Sequence, residues 1–465
     1  MWWMCCDSAC KSRHWLQVAA FIVMRKSLLL LLSGALAVSP TVMGDVIGAS
    51  TLLNRVESHP AVVEKKNQAL LKGLRIRELV AEDGLQINLS TKSKLSIIGE
   101  YGDSAQRVSD RDRSYIDGVV TAQKTLYDFG ATEFGINSEI SREKAAQLEY
   151  VGTYEQTMQT LLSLAVEVAR LDHLIASLGQ TISTARDAIA DLELRFSSGV
   201  GTLVDVRKAQ LLLLDLETEK ENLQRERSLK MSALEQEFDL AAADQPLLQQ
   251  TLARLFDTID RTEGGSESLL MKRRVNSPRS TDRINLEKAA IRYEIKSLKA
   301  EKYPQLTGSL TGVLYDVTRG PGEYELYGGI NVAVPLYDSG LRNSRELSLH
   351  HQLQLQDDSL VVLKNRKRLD ALDLDKRYQQ LSLQYRTARE KSENLRERLS
   401  QITHKITMTG EGLLPKLQTT IELDNAERAI SAYPHQLRSL TIDHLVLNEQ
   451  LLDRMSIAPS PDNKP

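Results

Sequence analysis

The residues able to do chemistry are sparse and poorly placed for it. Eight histidines are scattered from His14 to His444, and none forms the His-Glu-x-x-His pair that holds zinc. Gly-x-Ser-x-Gly and the phosphate-cradling Gly-Lys-Ser/Thr pattern are also missing. His350 and His351 are adjacent on a helical stretch, so their rings point about 100° apart and are not expected to share a metal. Asp370, Asp373 and Asp375 follow on the same stretch and read as a solvated helix face rather than a cation site. Cys5, Cys6 and Cys10 all precede Met24. The sequence therefore assigns no catalytic, cofactor-binding or metal-binding residue, and the chain reads as a non-enzyme without a cofactor.

The elements that such residues would need around them are equally unusual. In 465 residues and 52.1 kDa only 5% are Phe, Trp or Tyr, while Leu, Glu, Gln, Arg and Ser recur, a mixture that favours long helices over a thick globular core. The formal charge of -3 comes from interspersed acids and bases, so nucleic acid is not an expected partner. Met24-Arg25-Lys26 makes a basic start, Ser27 to Val38 an apolar run, and Val42-Met43-Gly44 a small-residue cleavage site, which together predict a signal peptide cut after Gly44. A membrane anchor over Leu16 to Val38 is the competing reading, but Arg25 and Lys26 divide it. Beyond Gly44 there is no cysteine, which excludes disulfides, thiolate metal sites and a lipid-bearing cysteine from the exported chain. Nor does any later stretch approach the ~20 apolar residues of a spanning helix, so a membrane would have to be crossed by strands.

One unit occurs twice. Leu126-Tyr127-Asp128-Phe129-Gly130 returns 210 residues later as Leu336-Tyr337-Asp338-Ser339-Gly340, each followed by a long helical pattern that stops at glycine. The stops are Ser198-Gly199-Val200-Gly201-Thr202 and Thr409-Gly410-Glu411-Gly412-Leu413. Gly199 is placed to end a helix in the left-handed conformation, and Thr202 with Asp205 to cap the next. His59-Pro60 and Ser277-Pro278 open a helix upstream of each motif. Between that helix and the motif, period-two alternation predicts a β-hairpin; Leu306, Gly308, Leu310, Gly312 and Leu314 share one face, as do Tyr324, Leu326, Gly328, Ile330, Val332, Val334 and Leu336. Strands of this length tilt across an outer-membrane hydrocarbon layer ~25 Å tall. A soluble sandwich is the competing reading, although four strands have little to sandwich against. Four strands also cannot close a barrel, since the smallest have about eight, so other copies of the chain must complete it.

The expected boundaries are 1–44 for the extended N-terminus and signal peptide, and 45–240 for the first unit, with strands at 85–101 and 113–127 and a helical hairpin at 131–240. Residues 241–276 read as a linker with one short amphipathic helix, Leu247 to Ile259. The second unit occupies 277–456, with strands at 305–317 and 323–337 and a helical hairpin at 341–455, before a disordered tail at 457–465.

This order of elements resembles the TolC-like outer-membrane efflux and type I secretion channel family over essentially all of the chain beyond Gly44. The sharpest local match is Arg195-Phe196 with Gly199, then Asp205-Val206 and Ala209, a close copy of the family's periplasmic helical tip. The resemblance implies a mainly α protein with a β-barrel part. Three protomers of four strands would form a twelve-stranded barrel in the cell outer membrane, continued by an α-helical tunnel in the periplasm. It implies a periplasmic adaptor and an inner-membrane ABC or proton-driven pump as partners, with outer-membrane lipid around the barrel. Adaptor docking would then fall on Arg195, Phe196, Gly199, Val200, Gly201, Thr202, Leu203, Asp205, Gly410, Glu411, Gly412 and Leu413, of which Val200, Leu203 and Leu413 are read as exposed apolar contacts. Leu126, Tyr127, Asp128, Gly130, Leu336, Tyr337, Asp338 and Gly340 would join barrel to tunnel. In the family's best-known member a tyrosine and an arginine of the second tip tie to the first-tip aspartate and two acids narrow the pore; here Thr407, Gly412, Lys416 and Thr419 align with them. Asp205 survives without that lock, so the closed state is expected to be held differently. The expected function is the exit duct of a tripartite export system, with secreted protein favoured over small molecules as cargo. A soluble periplasmic coiled-coil scaffold or adaptor is the reading from another class, and lipid-length strands disfavour it.

Overall fold

The computed structural model describes residues 52–95, 114–270, 278–315, 317, 323–409, 412–457 and 459. The expected signal peptide, the loop between the first two strands, residues 271–277, the turn around 318–322, Gly410 with Glu411, and most of the tail lie outside the described residues.

Helix α1 (Pro60–Glu82) starts on its proline, whose missing N–H costs nothing at that position, and His59 caps it by accepting the Ala61 N–H on Nδ1 at 3.3 Å. Strands β1 (Gln86–Leu95) and β2 (Ser114–Tyr127) follow, then helices α2 (Ala131–Ser197) and α3 (Leu203–Phe238). Helices α4 (Gln245–Glu263) and α5 (Ser266–Leu270) precede α6 (Pro278–Ala300), strands β3 (Gln305–Tyr315) and β4 (Glu323–Ala333), and helices α7 (Leu341–Thr409), α8 (Leu413–Leu447) and α9 (Leu451–Arg454). No helix among the described residues is long and apolar enough to cross a membrane.

The four strands form one antiparallel sheet in the order β1-β2-β3-β4, which leaves β1 and β4 as open edges among the described residues. Its register sorts the side chains. Ile87 and Leu89 pair with Ala122 and Val120, which pair with Leu310 and Gly312, which pair with Gly328 and Leu326. Successive side chains alternate between faces, so these residues share one face with Ile116, Leu314, Tyr324, Ile330 and Val332. The opposite face carries Gln86, Asn88, Ser90, Gln123, Thr121, Ser309, Thr311, Glu325 and Asn331. The apolar side chains stand exposed on their face, Leu89 at 75% and Leu326 at 68%, while the opposite face is exposed along both edge strands and covered in the central strands, where Thr311 is 9% and Val119 8% exposed.

Strand β4 ends four residues before the expected 337. Pro335 has no N–H to give to a ladder, so Val334 and Leu336 keep the alternating pattern without the pairing that makes a strand. The segment expected as a linker is also more ordered than its composition suggests. Helix α4 runs beyond Leu247 to Ile259 at both ends and buries Leu248, Leu252, Leu255, Phe256 and Ile259 at helical spacing, and α5 adds buried Leu269 and Leu270. Finally, the last long helix stops at Leu447 instead of running to Met455. There Glu449 takes φ 58°, turning the chain before α9.

Apolar layers run along the helices. Leu178, Ile182, Ala185 and Ile189 of α2, Val206 and Ala209 of α3, and Leu414, Leu417 and Ile421 of α8 make a single seam, so the hairpin α7–α8 leans on α2–α3 through α8. Further along the same helix Arg428 is 5% exposed. Its guanidinium donates to Thr181 Oγ1 at 3.1 Å and to Asn425, and lies 3.7 Å from Glu219.

Candidate functional site

The two Leu-Tyr-Asp motifs build the same joint between sheet and helix. Asp128 accepts the Gly130 N–H on Oδ1 at 3.0 Å and the Thr132 N–H on Oδ2 at 2.7 Å; Asp338 accepts from Gly340 and Arg342 at 3.1 and 3.2 Å. Each aspartate therefore satisfies N–H groups left over at the start of a helix of more than sixty residues. Gly130 and Gly340 sit at φ 83° and 84°, preceded by Phe129 and Ser339 at 56° and 53°. Two consecutive left-handed residues bend the chain, and glycine is the residue that does so without strain. Partial burial pushes the Asp128 carboxyl up, but hydrogen bonds from the Thr132 side chain and backbone and from the Gly130 N–H outweigh it and hold the group below its ordinary range. Sequence reasoning saw the motif and missed the capping. The signal was present, since an aspartate two residues before a glycine N-cap can turn its side chain onto backbone N–H groups just ahead of it.

Around the joint the aromatics gather. Tyr127 meets Phe129 edge-on at 4.7 Å between ring centroids, and Phe129 stacks on Tyr303 at 5.0 Å. Leu126 lies at a register shift between β2 and β3, and a Cβ on Gly308 would stand 3.2 Å from its Cδ1, so Gly308 makes room for it. Leu336 and Tyr337, beyond Pro335, are 92% and 86% exposed.

At the far end, α2 closes with a Schellman pattern: Val200 N–H donates to Arg195 O and Gly199 N–H to Phe196 O, both at 3.0 Å, with Gly199 at φ 79°. Helix α3 begins with Thr202 accepting the Asp205 N–H on Oγ1 at 3.2 Å, while its hydroxyl donates to Asp205 Oδ2 at 2.8 Å. Gly201 is tight against the Phe196 backbone, 3.3 Å from a would-be Cβ. Gly412 caps α8 at φ 112°. Leu413 is not an exposed contact; it is half-buried against the α2–α3–α8 seam. Exposed apolar side chains at this tip are Leu194, Phe196, Val200, Leu203 and Val204, and Leu194 and Val204 escaped the sequence reading because each continues a helical pattern. Thr419 is buried within the chain, so it lines no passage in this conformation, while Thr407 is exposed and its hydroxyl donates to Thr403 O at 2.9 Å.

A third cluster, at the root of the second helical hairpin, was invisible in the sequence. Glu449 accepts the Arg279 N–H at 2.7 Å and the Ser280 N–H at 3.2 Å, capping α6 from 170 residues away, and Lys367 of α7 lies 3.8 Å from it. Arg279 pairs with Glu155 of α2 at 3.2 Å, and Glu155 also accepts the Leu451 N–H at 2.9 Å. Burial pushes the Glu155 carboxyl above its ordinary range despite Arg279 and those N–H groups. The left-handed Asp239 that ends α3 stands 210 residues before Glu449, and its carboxylate pairs with Arg55. His350, His351, Asp370 and Asp373 are exposed on α7; Asp373 pairs with Arg377 at 2.7 Å and Asp375 accepts from Gln379 at 3.0 Å.

No family model and no curated protein matches the chain. Solved structures do. The outer-membrane protein VceC of Vibrio cholerae superposes with a TM-score of 0.68 at 15% identity, covering 86% of this chain and 95% of that one. The chain has the fold of a TolC-type outer-membrane channel. The Campylobacter jejuni CmeC outer-membrane channel gives 0.66 at 10% identity over 87% and 86% of the two chains, and the open state of the Neisseria gonorrhoeae MtrE outer-membrane channel 0.65 at 13% over 86% and 88%. At these identities the likeness is one of architecture, and the TolC-type fold accounts for a small sheet set at one end of a far longer helical body.

Proposed function

We propose that this chain is one protomer of an outer-membrane exit duct, assembled as a homotrimer and fed by an inner-membrane pump through a periplasmic adaptor. The observation that carries the reading is the one-sided sheet. Its apolar face is exposed, its other face is mostly polar, and neither edge has a strand partner among the described residues, an arrangement that suits lipid outside, water inside and further strands on either side. Four strands from each of three copies would supply the twelve that close the barrel. The repeated joint, the matching helix lengths and the left-handed residues spaced by 210 support a duplicated unit, with each half giving one β-hairpin and one helical hairpin.

The tip around Gly199 and Gly412, with exposed Phe196, Val200 and Leu203, is the surface we assign to the adaptor. Secreted protein is the cargo that the sequence resemblance favours. Solute would move through the duct without any reaction at the wall, energy being supplied by the pump. The test is fractionation: heat-modifiable trimers in the outer-membrane fraction are expected, and a monomer released by osmotic shock would defeat the reading in favour of a soluble scaffold. Deleting the gene and comparing the secreted proteome with drug susceptibility then separates the cargo classes.

A further inference from the structure

Helix α8 contains Pro434, which has no N–H to donate to the carbonyl of Ile430, so the helix is weakened at that turn. His435 follows. Its ring stands 6.0 Å from that of His173 on α2, centroid to centroid, with the planes 30° apart. The Nδ1 atom of His435 is buried and has no hydrogen-bond partner among the described residues. A neutral imidazole can keep that nitrogen as a bare acceptor. An imidazolium makes both nitrogens donors, and a buried cationic N–H without water or an acceptor is far more costly.

The surroundings oppose a positive charge. Arg438 on α8 and Arg170 and His173 on α2 all disfavour it; Glu167 on α2 favours it, but Arg170 already grips that carboxylate at 2.9 and 2.6 Å. From α4, Phe256 lies under the Arg438 guanidinium at 5.2 Å. From α7 and α5 the titratable groups are Tyr378, Tyr385 and Glu267, which gather on Tyr433: Tyr385 stacks on its ring at 4.3 Å and Glu267 accepts its hydroxyl at 2.7 Å.

We propose that His435 is an acid-sensitive release: protonating its ring parts α8 from α2 at the Pro434 turn and loosens the second helical hairpin from the first. Burial foremost, then Arg438, His173 and Arg170, hold this imidazole below its ordinary value against the pull of Glu167. The packed state therefore favours the neutral ring. The contact is complete above the ordinary imidazole pKa of ~6.5, weakens as the pH falls through it, and is lost below the lowered value of the packed ring.

The proposal does not depend on export, and its test reads the helix contact directly. Amide exchange over residues 428–442 would be measured on the purified full-length protein at about pH 7.5 and about pH 5.5, each normalised to the intrinsic exchange rate at that pH. Wild type is expected to lose protection several-fold in this segment at the lower pH, while residues 216–234 of α3 hold theirs. His435→Leu and His435→Gln, which cannot take up the proton, are expected to keep protection at both values. Unchanged protection in the wild type would overturn the proposal, as would an equal acid-induced loss in either variant. Protection already lost at neutral pH in both variants would mark the ring as a packing residue only and would overturn it as well.

Discussion

Asp128 and Asp338 hold helix starts at matching joints, so their loss should be felt as stability. Asp128→Ala and Asp338→Ala are each expected to cost about 1 kcal/mol in thermal unfolding. Because the Asp128 carboxyl is held below its ordinary range, its contribution is present above the unfolded value of ~3.9 and disappears as the pH falls through the folded one. Asp128→Asn, which still caps, should therefore leave neutral stability nearly intact and flatten the acid side of the profile. Two buried charges should behave oppositely. Glu155→Ala takes the carboxylate from Arg279, whose guanidinium keeps the Glu449 carbonyl, and leaves the Leu451 N–H without its acceptor, and is expected to cost about 3 kcal/mol. Arg428→Met should change unfolding by under ~1 kcal/mol, because the Glu219 side chain is 50% exposed and stays hydrated, and Thr181 keeps its bond to Ser177 O. Of these residues only the two aspartates were legible in the sequence, since their partners lie within four positions. Glu155 and Glu449 meet partners more than 120 residues away, and no local pattern announces such a pair.

The turns that end and begin the helices should rank by what a side chain would meet. Gly199, Gly340 and Gly130 all sit near φ 80°, so alanine at each carries a backbone penalty of about 1 kcal/mol. Among the described residues nothing lies within 4 Å of a Cβ at Gly199 or Gly340, whereas at Gly130 it would stand 3.3 Å from the Phe134 ring. Chemical denaturation is expected to place Gly130→Ala as the most damaging of the three. Glycine and proline made these elements readable, because each imposes a backbone conformation whatever surrounds it. The errors arose where a pattern continued after its cause had stopped. Alternation ran on through Pro335 although the ladder could not, and Leu413 looked exposed because its cover comes from α2 and α3, more than 200 residues earlier in the chain.

For the whole molecule, the sheet predicts a polarity of tolerance. Leu326→Arg on the apolar face should cost about 2–4 kcal/mol if that face meets lipid, and should reduce the heat-modifiable form in outer-membrane fractions. Asn331→Arg on the opposite face, where the side chain is exposed, should assemble normally. The long helices and small sheet were visible in the helical and alternating patterns, while the pair α4–α5 was not, because it packs against α2 and also against α8 and α9, which lie far from α2 in the chain. The two open edges carry a genetic consequence. In the proposed ring, β4 of each copy meets β1 of the next, so every subunit offers one donor edge and one acceptor edge, and these are different surfaces. A copy with only one edge damaged can still be recruited, and it then strands its healthy neighbours in an unfinished ring. A copy with both edges damaged is never recruited. Single-edge alleles should therefore be dominant when co-expressed with wild type and double-edge alleles recessive, so inheritance alone would report that the ring joins unlike edges.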